Sequence, residues 1–283
     1  MKRVLTALIL IPLVLLLVFL GPRWLVTLAV AAVAMLAAWE YLGLAEKDLA
    51  EKTRARPPRM AVLAAILALF AGNFAWPDQT AAIIGLLSLA LLVYCCFSRP
   101  VEQVMACASA SVFCLLYIGF TLIALAVLRG DQDSNGPSLV TFLLCVVWAG
   151  DIAALYMGRA WGRRKLAPAL SPNKTWEGAL GSVAGSLLVT GGLLGLAHLL
   201  TARFDSARLS YSEEVWYYWL GLAVVVNVAA QVGDLAESAL KRSAGVKDSG
   251  ALLPGHGGVL DRIDALLLAA PVLWFAQLIH LRF

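Results

Sequence analysis

Cys107-Ala-Ser-Ala-Ser-Val-Phe-Cys-Leu-Leu-Tyr-Ile-Gly-Phe-Thr-Leu-Ile-Ala-Leu-Ala-Val-Leu128 runs without a single charged residue. A helix rises about 1.5 Å per residue, and a bilayer core is about 30 Å thick, so about 20 apolar residues cross it. Backbone groups in lipid must be satisfied within the segment, which makes this stretch a helix. The same pattern recurs outward in both directions. Candidate spans run over 4–20, 24–45, 60–76, 80–97, 107–128, 138–157, 179–200, 215–238 and 262–281. The first, third and fourth are short, which leaves room for one re-entrant hairpin there. Composition agrees: 61% of the 283 residues are hydrophobic and 14% are charged, where a soluble domain carries about a quarter charged. The expected class is all-α, a polytopic integral membrane protein of about nine transmembrane helices.

Lys and Arg in the connecting loops set the orientation. With nine spans, 17 of the 22 Lys and Arg residues fall on the side of the N-terminus and 5 on the other. The N-terminus is therefore expected in the cytoplasm. The net charge of +4 is spread over short loops, so no basic domain for nucleic acid is expected. Met1-Lys2-Arg3 followed by Val4–Leu20 has the outline of a signal peptide. Gly21-Pro22-Arg23-Trp24 offers no small-residue cleavage site, so a retained first helix is expected. Cys95, Cys96, Cys107, Cys114 and Cys145 lie in or beside apolar segments with no CxxC spacing. They read as packing residues rather than a zinc site.

The chain changes character near residue 145. Residues 1–144 read as a transmembrane scaffold of Ala, Leu and Val. Residues 145–283 carry polar groups inside the spans and two polar loops, and read as the working half. A charge at the centre of a membrane helix costs about 2.5–3.5 kcal/mol on insertion scales, so intramembrane carboxylates need a partner or a wet cavity. Glu40, alone in Ala-Trp-Glu-Tyr, reads as a snorkelling or hydrogen-bonded structural residue. Asp234, Glu237 and Ser238 stand at i, i+3 and i+4, on one helix face. Asp261 and Asp264 repeat that spacing at the start of the last helix. The two sets lie at the cytoplasmic ends of successive antiparallel helices. Carboxylates converging in a low dielectric repel unless a cation stands among them. All-oxygen ligands suit a hard ion such as Mg²⁺. Pairing with Lys241, Arg242 and Arg262 is the alternative, although desolvating so many charges for structure alone gains little.

Between the two carboxylate sets lie three cations (Lys241, Arg242, Lys247), five glycines and His256. Glycine lets backbone N–H groups approach an anion closely. His256-Gly257-Gly258 precedes a helix N-terminus, where amides and dipole favour phosphate. A second polar loop holds Gly162-Arg163-Arg164-Lys165 and Ser171-Pro172-Asn173-Lys174-Thr175-Trp176-Glu177-Gly178. Ser171, Asn173 and Thr175 offer hydroxyl and amide groups, and Lys174 a phosphate-seeking cation. The glycines of a P-loop are missing. Glu177 fits a first-turn residue that complements the helix dipole.

The stretch Ser238–Asp264 resembles the signature of the phosphatidate cytidylyltransferases, or CDP-diacylglycerol synthases. Ser171–Gly178 is similar to that family's second polar loop. The resemblance covers residues 145–283 well and the first half only in its apolar spans. It implies transfer of the cytidylyl group of CTP to phosphatidate, with release of pyrophosphate. It implies Mg²⁺, with a monovalent cation such as K⁺ as an optional second ion, and suggests a homodimer in the inner membrane, its site facing the cytoplasm where CTP is found. Carried over by motif, Asp234, Asp261 and Asp264, with Glu237 beside them, correspond to the metal-site carboxylates. Lys241 and Arg242 join Asp234, Asp261 and Asp264 as the catalytic set. Lys247, His256, Gly257, Gly258, Ser171, Asn173, Lys174 and Thr175 face substrate. Ile152-Ala153-Ala154 after Asp151 departs from the family's pattern, so no role is carried over to Asp151. A CTP-dependent polyprenol kinase and a cation transporter are the rival readings. The cationic glycine-rich loop at one membrane face favours phosphate chemistry over transport; the kinase, like a synthase for another lipid acid, would differ in its product.

Overall fold

The computed structural model describes residues 2–52, 55–130, 135–204, 209–211, 215–250 and 257–280, with side chains for all of these except residues 2–9, 51, 52 and 280. The helices are α1 (Lys2–Leu20), α2 (Arg23–Lys52), α3 (Arg59–Ala75), α4 (Thr80–Ser98), α5 (Val101–Arg129), α6 (Gly136–Trp161), α7 (Trp176–Arg203), α8 (Trp216–Ser243) and α9 (Leu260–His280). Each expected span falls on one of them. Seven of the described helices are long and apolar enough to cross a membrane, while α3 and the Leu10–Leu20 part of α1 are shorter apolar helices. The protein is a polytopic all-α membrane protein. Large apolar side chains such as Leu86, Phe97 and Leu188 stand exposed on α4 and α7, as side chains facing acyl chains do.

Local chemistry places the helix ends. Pro58 and Pro100 stand immediately before α3 and α5, and Pro137 in the first turn of α6, where a missing N–H leaves no bond unmade. Thr175 caps α7, its hydroxyl accepting from Gly178 N at 3.1 Å. Leu115–Phe120 within α5 form a π-helical turn. One addition to the all-helical expectation is a short antiparallel hairpin, β1 (Lys165–Ala167) and β2 (Ser171–Thr175), with Lys165 opposite Thr175. The second polar loop is thus an ordered two-stranded ribbon that leads directly into α7.

The chain forms two compact units. The first comprises residues 1–26, 125–236 and 268–283, and the second 27–124 and 237–267. The expected division at residue 144/145 followed the polar content of the sequence, not packing. In the first unit, Arg129 is fully buried and donates to Val18 O at 2.5 Å and Gly21 O at 3.0 Å, satisfying carbonyls left open at the end of α1. Phe142, Tyr211 and Trp219 pack edge to face. In the second unit, Arg59 grips Glu46 through two bonds of 2.7 Å and lies over the Trp39 ring. This pins the start of α3 to α2. Cys95 and Cys107 are buried with Ala55, while Cys96 is exposed on α4.

A buried polar ladder joins α6, α7 and α8. Asn227 donates to Ser182 Oγ at 2.9 Å and Ser186 Oγ at 2.8 Å, and accepts from Gln231 at 2.7 Å. Ser186 donates onward to Val146 O at 2.8 Å. Gly150 is required here, because a Cβ on it would collide with Asn227, Ser182 and Ser186. Asn227→Leu removes the hub and strands its partners. Unsatisfied buried groups cost about 1–3 kcal/mol each, and membrane hydrogen bonds average about 0.6. Destabilisation of about 1–3 kcal/mol is expected from equilibrium unfolding in mixed micelles, and an unchanged midpoint would remove the ladder's structural role.

Candidate active site

Two clusters of charge, one in each unit, hold several of the predicted site residues. The second unit's cluster begins where α8 ends. Gly245, at φ +66°, turns the chain, with Val246 N bonded to Lys241 O at 3.0 Å and Gly245 N to Arg242 O at 3.1 Å. This is the double bond pattern that a left-handed glycine allows at a helix end. It leaves Lys241 in the last turn, aimed at the start of α9.

Lys241 Nζ forms an ion pair with Glu237 one turn behind it and donates to Asp261 Oδ1 at 2.7 Å. Glu237 is fully buried, and its Oε1 has no hydrogen-bond partner. Asp261 is crowded with donors. Gly258 N reaches Oδ2 at 2.7 Å and Ser249 N at 3.1 Å. Gly257 adopts φ +79°, and a Cβ there would press on the Asp261 carboxylate. Asp264, one turn on, accepts from Ala265 N at 2.8 Å. Arg242 and Lys247 are exposed; Arg242 donates to Val246 O at 3.2 Å. His256 lies outside the described residues.

The first unit's cluster surrounds a cavity of about 520 Å³ between α6, α7, α8 and the hairpin. Asp151, Arg159, Asn173, Lys174, Thr175, Gln231 and Asp234 contribute polar groups to it. Lys174, on β2, forms an ion pair with Asp234. Ser171 opens the same strand opposite Ala167 and does not line the cavity. Glu177 accepts from Arg163 N at 3.1 Å and Arg164 N at 3.2 Å, which ties the ribbon's entry to the first turn of α7.

The predicted carboxylates therefore divide. Asp234 belongs to the first unit with Lys174, and Glu237 and Asp261 meet on Lys241 in the second. No group of three or more Asp, Glu, His or Cys side chains among the described residues is placed to share one metal ion. Two lysines neutralise these carboxylates instead. For Lys241 this is part of the alternative pairing the sequence left open, whereas the partnership of Lys174 with Asp234 was not legible from spacing. Gln231 was also missed, although an amide one turn before Asp234 on a membrane helix is the kind of polar residue that marks a cavity.

A sequence model of the cytidylyltransferase family matches residues 1–280. The chain belongs to the cytidylyltransferase family. Among its relatives, the phosphatidate cytidylyltransferase of Brucella melitensis is 49% identical over 160 residues. That match spans 56% of this chain and about half (54%) of the relative's length. The enzyme of that name from Staphylococcus saprophyticus is 35% identical over 76% of this chain and 75% of its own. The one from Pseudomonas aeruginosa is 36% identical over 98% and 96%. Family membership thus extends to the N-terminal half, where sequence motifs alone carried little.

Proposed function

We propose that this chain transfers the cytidylyl group of CTP to phosphatidate, yielding CDP-diacylglycerol and pyrophosphate, as a multi-pass protein of the bacterial inner membrane with its site facing the cytoplasm. The observation that supports this best is Lys241, paired with Glu237 and Asp261 beside the Gly257–Gly258 turn, inside the stretch that resembles the family signature. The phosphatidate phosphate is itself the nucleophile. Its oxygen bonds to the α-phosphorus of CTP, the α–β bridging P–O bond breaks, and the electron pair leaves on pyrophosphate. No side chain need be activated as a nucleophile, so positioning and charge neutralisation carry the reaction.

Lys241, Arg242 and Lys247 neutralise the departing pyrophosphate. His256, with the Gly257 and Gly258 backbone, faces the CTP phosphates. Lys174, with Ser171, Asn173 and Thr175 on the ribbon, faces substrate at the cavity of the first unit. Exposed Arg163 and Arg164 attract the anionic headgroup, at about 1 kcal/mol per cation near the surface. The donor set fits a hard divalent ion such as Mg²⁺: every candidate ligand is a carboxylate oxygen, and Glu237 Oε1 is buried with no hydrogen-bond partner. By motif alone, Asp234, Glu237, Asp261 and Asp264 are the proposed Mg²⁺ ligands, with K⁺ as an optional second ion; Lys174 now pairs with Asp234, and Lys241 with Glu237 and Asp261, so an ion at either place would bind instead of the lysine. When bound, such an ion would supply Lewis-acid neutralisation of the triphosphate charge. A homodimer is part of the proposal.

The test is an incorporation assay with purified protein, phosphatidate, Mg²⁺ and CTP labelled at the α-phosphate. Label should move into lipid with release of one equivalent of pyrophosphate, and EDTA should abolish it. Transfer of the γ-phosphate alone would make the protein a kinase. Cation flux in vesicles without CTP, and no labelled lipid, would make it a transporter.

A further inference from the structure

Glu40 on α2 is far from every motif in sequence, yet it is 6% exposed and points into the turn that leads to α9. Val259 N donates to its Oε1 at 3.0 Å, Leu260 N to its Oε2 at 2.9 Å, and Ser249 Oγ to its Oε2 at 3.1 Å. These donors lie more than two hundred residues away along the chain. Leu260 opens α9, so the carboxylate lies on the helix N-terminal amides, where orphan donors and dipole favour an anion. Ser249 is shared: its hydroxyl goes to Glu40 while its N–H goes to Asp261. A Cβ on Gly250 or on Gly258 would run into the Glu40 carboxylate. Neither glycine has a positive φ, so both are needed for room rather than for backbone freedom.

We infer that Glu40 is a positioning residue for the proposed cytidylyl transfer: it fixes the start of α9 and Ser249, and through them the place of Asp261 against Lys241. The inference rests on the reading given under Proposed function. Glu40 touches no reacting atom in this scheme. It acts by holding Gly258 N and Ser249 N on Asp261, so that the carboxylate keeps its orientation while substrates come and go. A carboxylate can accept three donors at once. A glutamine in its place would turn an NH₂ toward an amide N–H and lose at least one of them.

Glu40→Gln is therefore expected to lower kcat roughly 10–100-fold, the size of one lost charge-assisted bond converted to rate. KM for CTP and for phosphatidate should change much less. Glu40→Gln combined with Ser249→Ala should be no slower than Glu40→Gln alone, because both act through one contact. Amide hydrogen exchange provides a readout independent of activity: Val259 and Leu260 should exchange roughly 10-fold or more faster in Glu40→Gln, while α3 and α4 are unchanged. Wild-type kcat in Glu40→Gln, additive losses in the double variant, or unaltered exchange at Val259 and Leu260 would each overturn the inference. A fall in activity that merely follows loss of folded protein would do so too. If the wild-type protein makes no CDP-lipid, the functional reading fails, and the exchange result still decides the role of Glu40.

Discussion

Asp261→Asn is expected to lower CDP-diacylglycerol formation about a hundred- to a thousand-fold in protein that remains folded, the range seen when one preorganised electrostatic group is lost. The reason lies in what surrounds the carboxylate. Lys241, Gly258 N and Ser249 N all donate to it. Asparagine keeps one acceptor and turns an NH₂ toward a donor, so the charge is lost and part of the geometry with it. Lys241 keeps Glu237 as its counter-ion, which limits the damage to stability. The measurement is the initial rate with saturating CTP and phosphatidate, alongside thermal unfolding in detergent. Asp264→Asn should behave in the same direction. Full activity in both variants would remove these carboxylates from the reaction.

Lys241→Met should be the most destabilising single change in the second unit. It leaves fully buried Glu237 and nearly buried Asp261 facing each other without a cation. Breaking a buried ion pair by removing one partner costs about 3–5 kcal/mol, because a bare charge stays in a low dielectric. The double variant Lys241→Met with Glu237→Gln should regain much of that stability, since the uncompensated charge has gone. It should not regain activity, because the cation proposed to neutralise pyrophosphate is still missing. Equilibrium unfolding and the incorporation assay on the same preparations separate the two roles. Wild-type stability in Lys241→Met would show that the pair contributes little to the fold.

Apolar runs carried most of the fold. Stretches such as Cys107–Leu128 can satisfy their backbone in lipid only as helices, so each expected span coincides with a helix. The ribbon at Lys165–Ala167 and Ser171–Thr175 was not legible. Its strands are too short to display an alternation. The i, i+3 spacing of Asp234 with Glu237, and of Asp261 with Asp264, identified candidate carboxylates. It could not say which cation each would meet. Lys174 comes to Asp234 through the ribbon, sixty residues upstream of it, and no local pattern records that approach.

What the sequence determined by itself was the solvent, lipid, from uncharged runs of helical length; the carboxylates flanking a cationic glycine-rich turn supplied the proposal of phosphate chemistry with a hard cation. Hydropathy and local spacing are properties of neighbouring residues, so both survive in one dimension. Only the tertiary structure decided the partners. It placed Lys241 between Glu237 and Asp261, Lys174 on Asp234, and Glu40 on the N-terminus of α9. Counter-ions and caps are chosen by distance in space, and chain separations as long as that between Glu40 and Leu260 carry no trace of it.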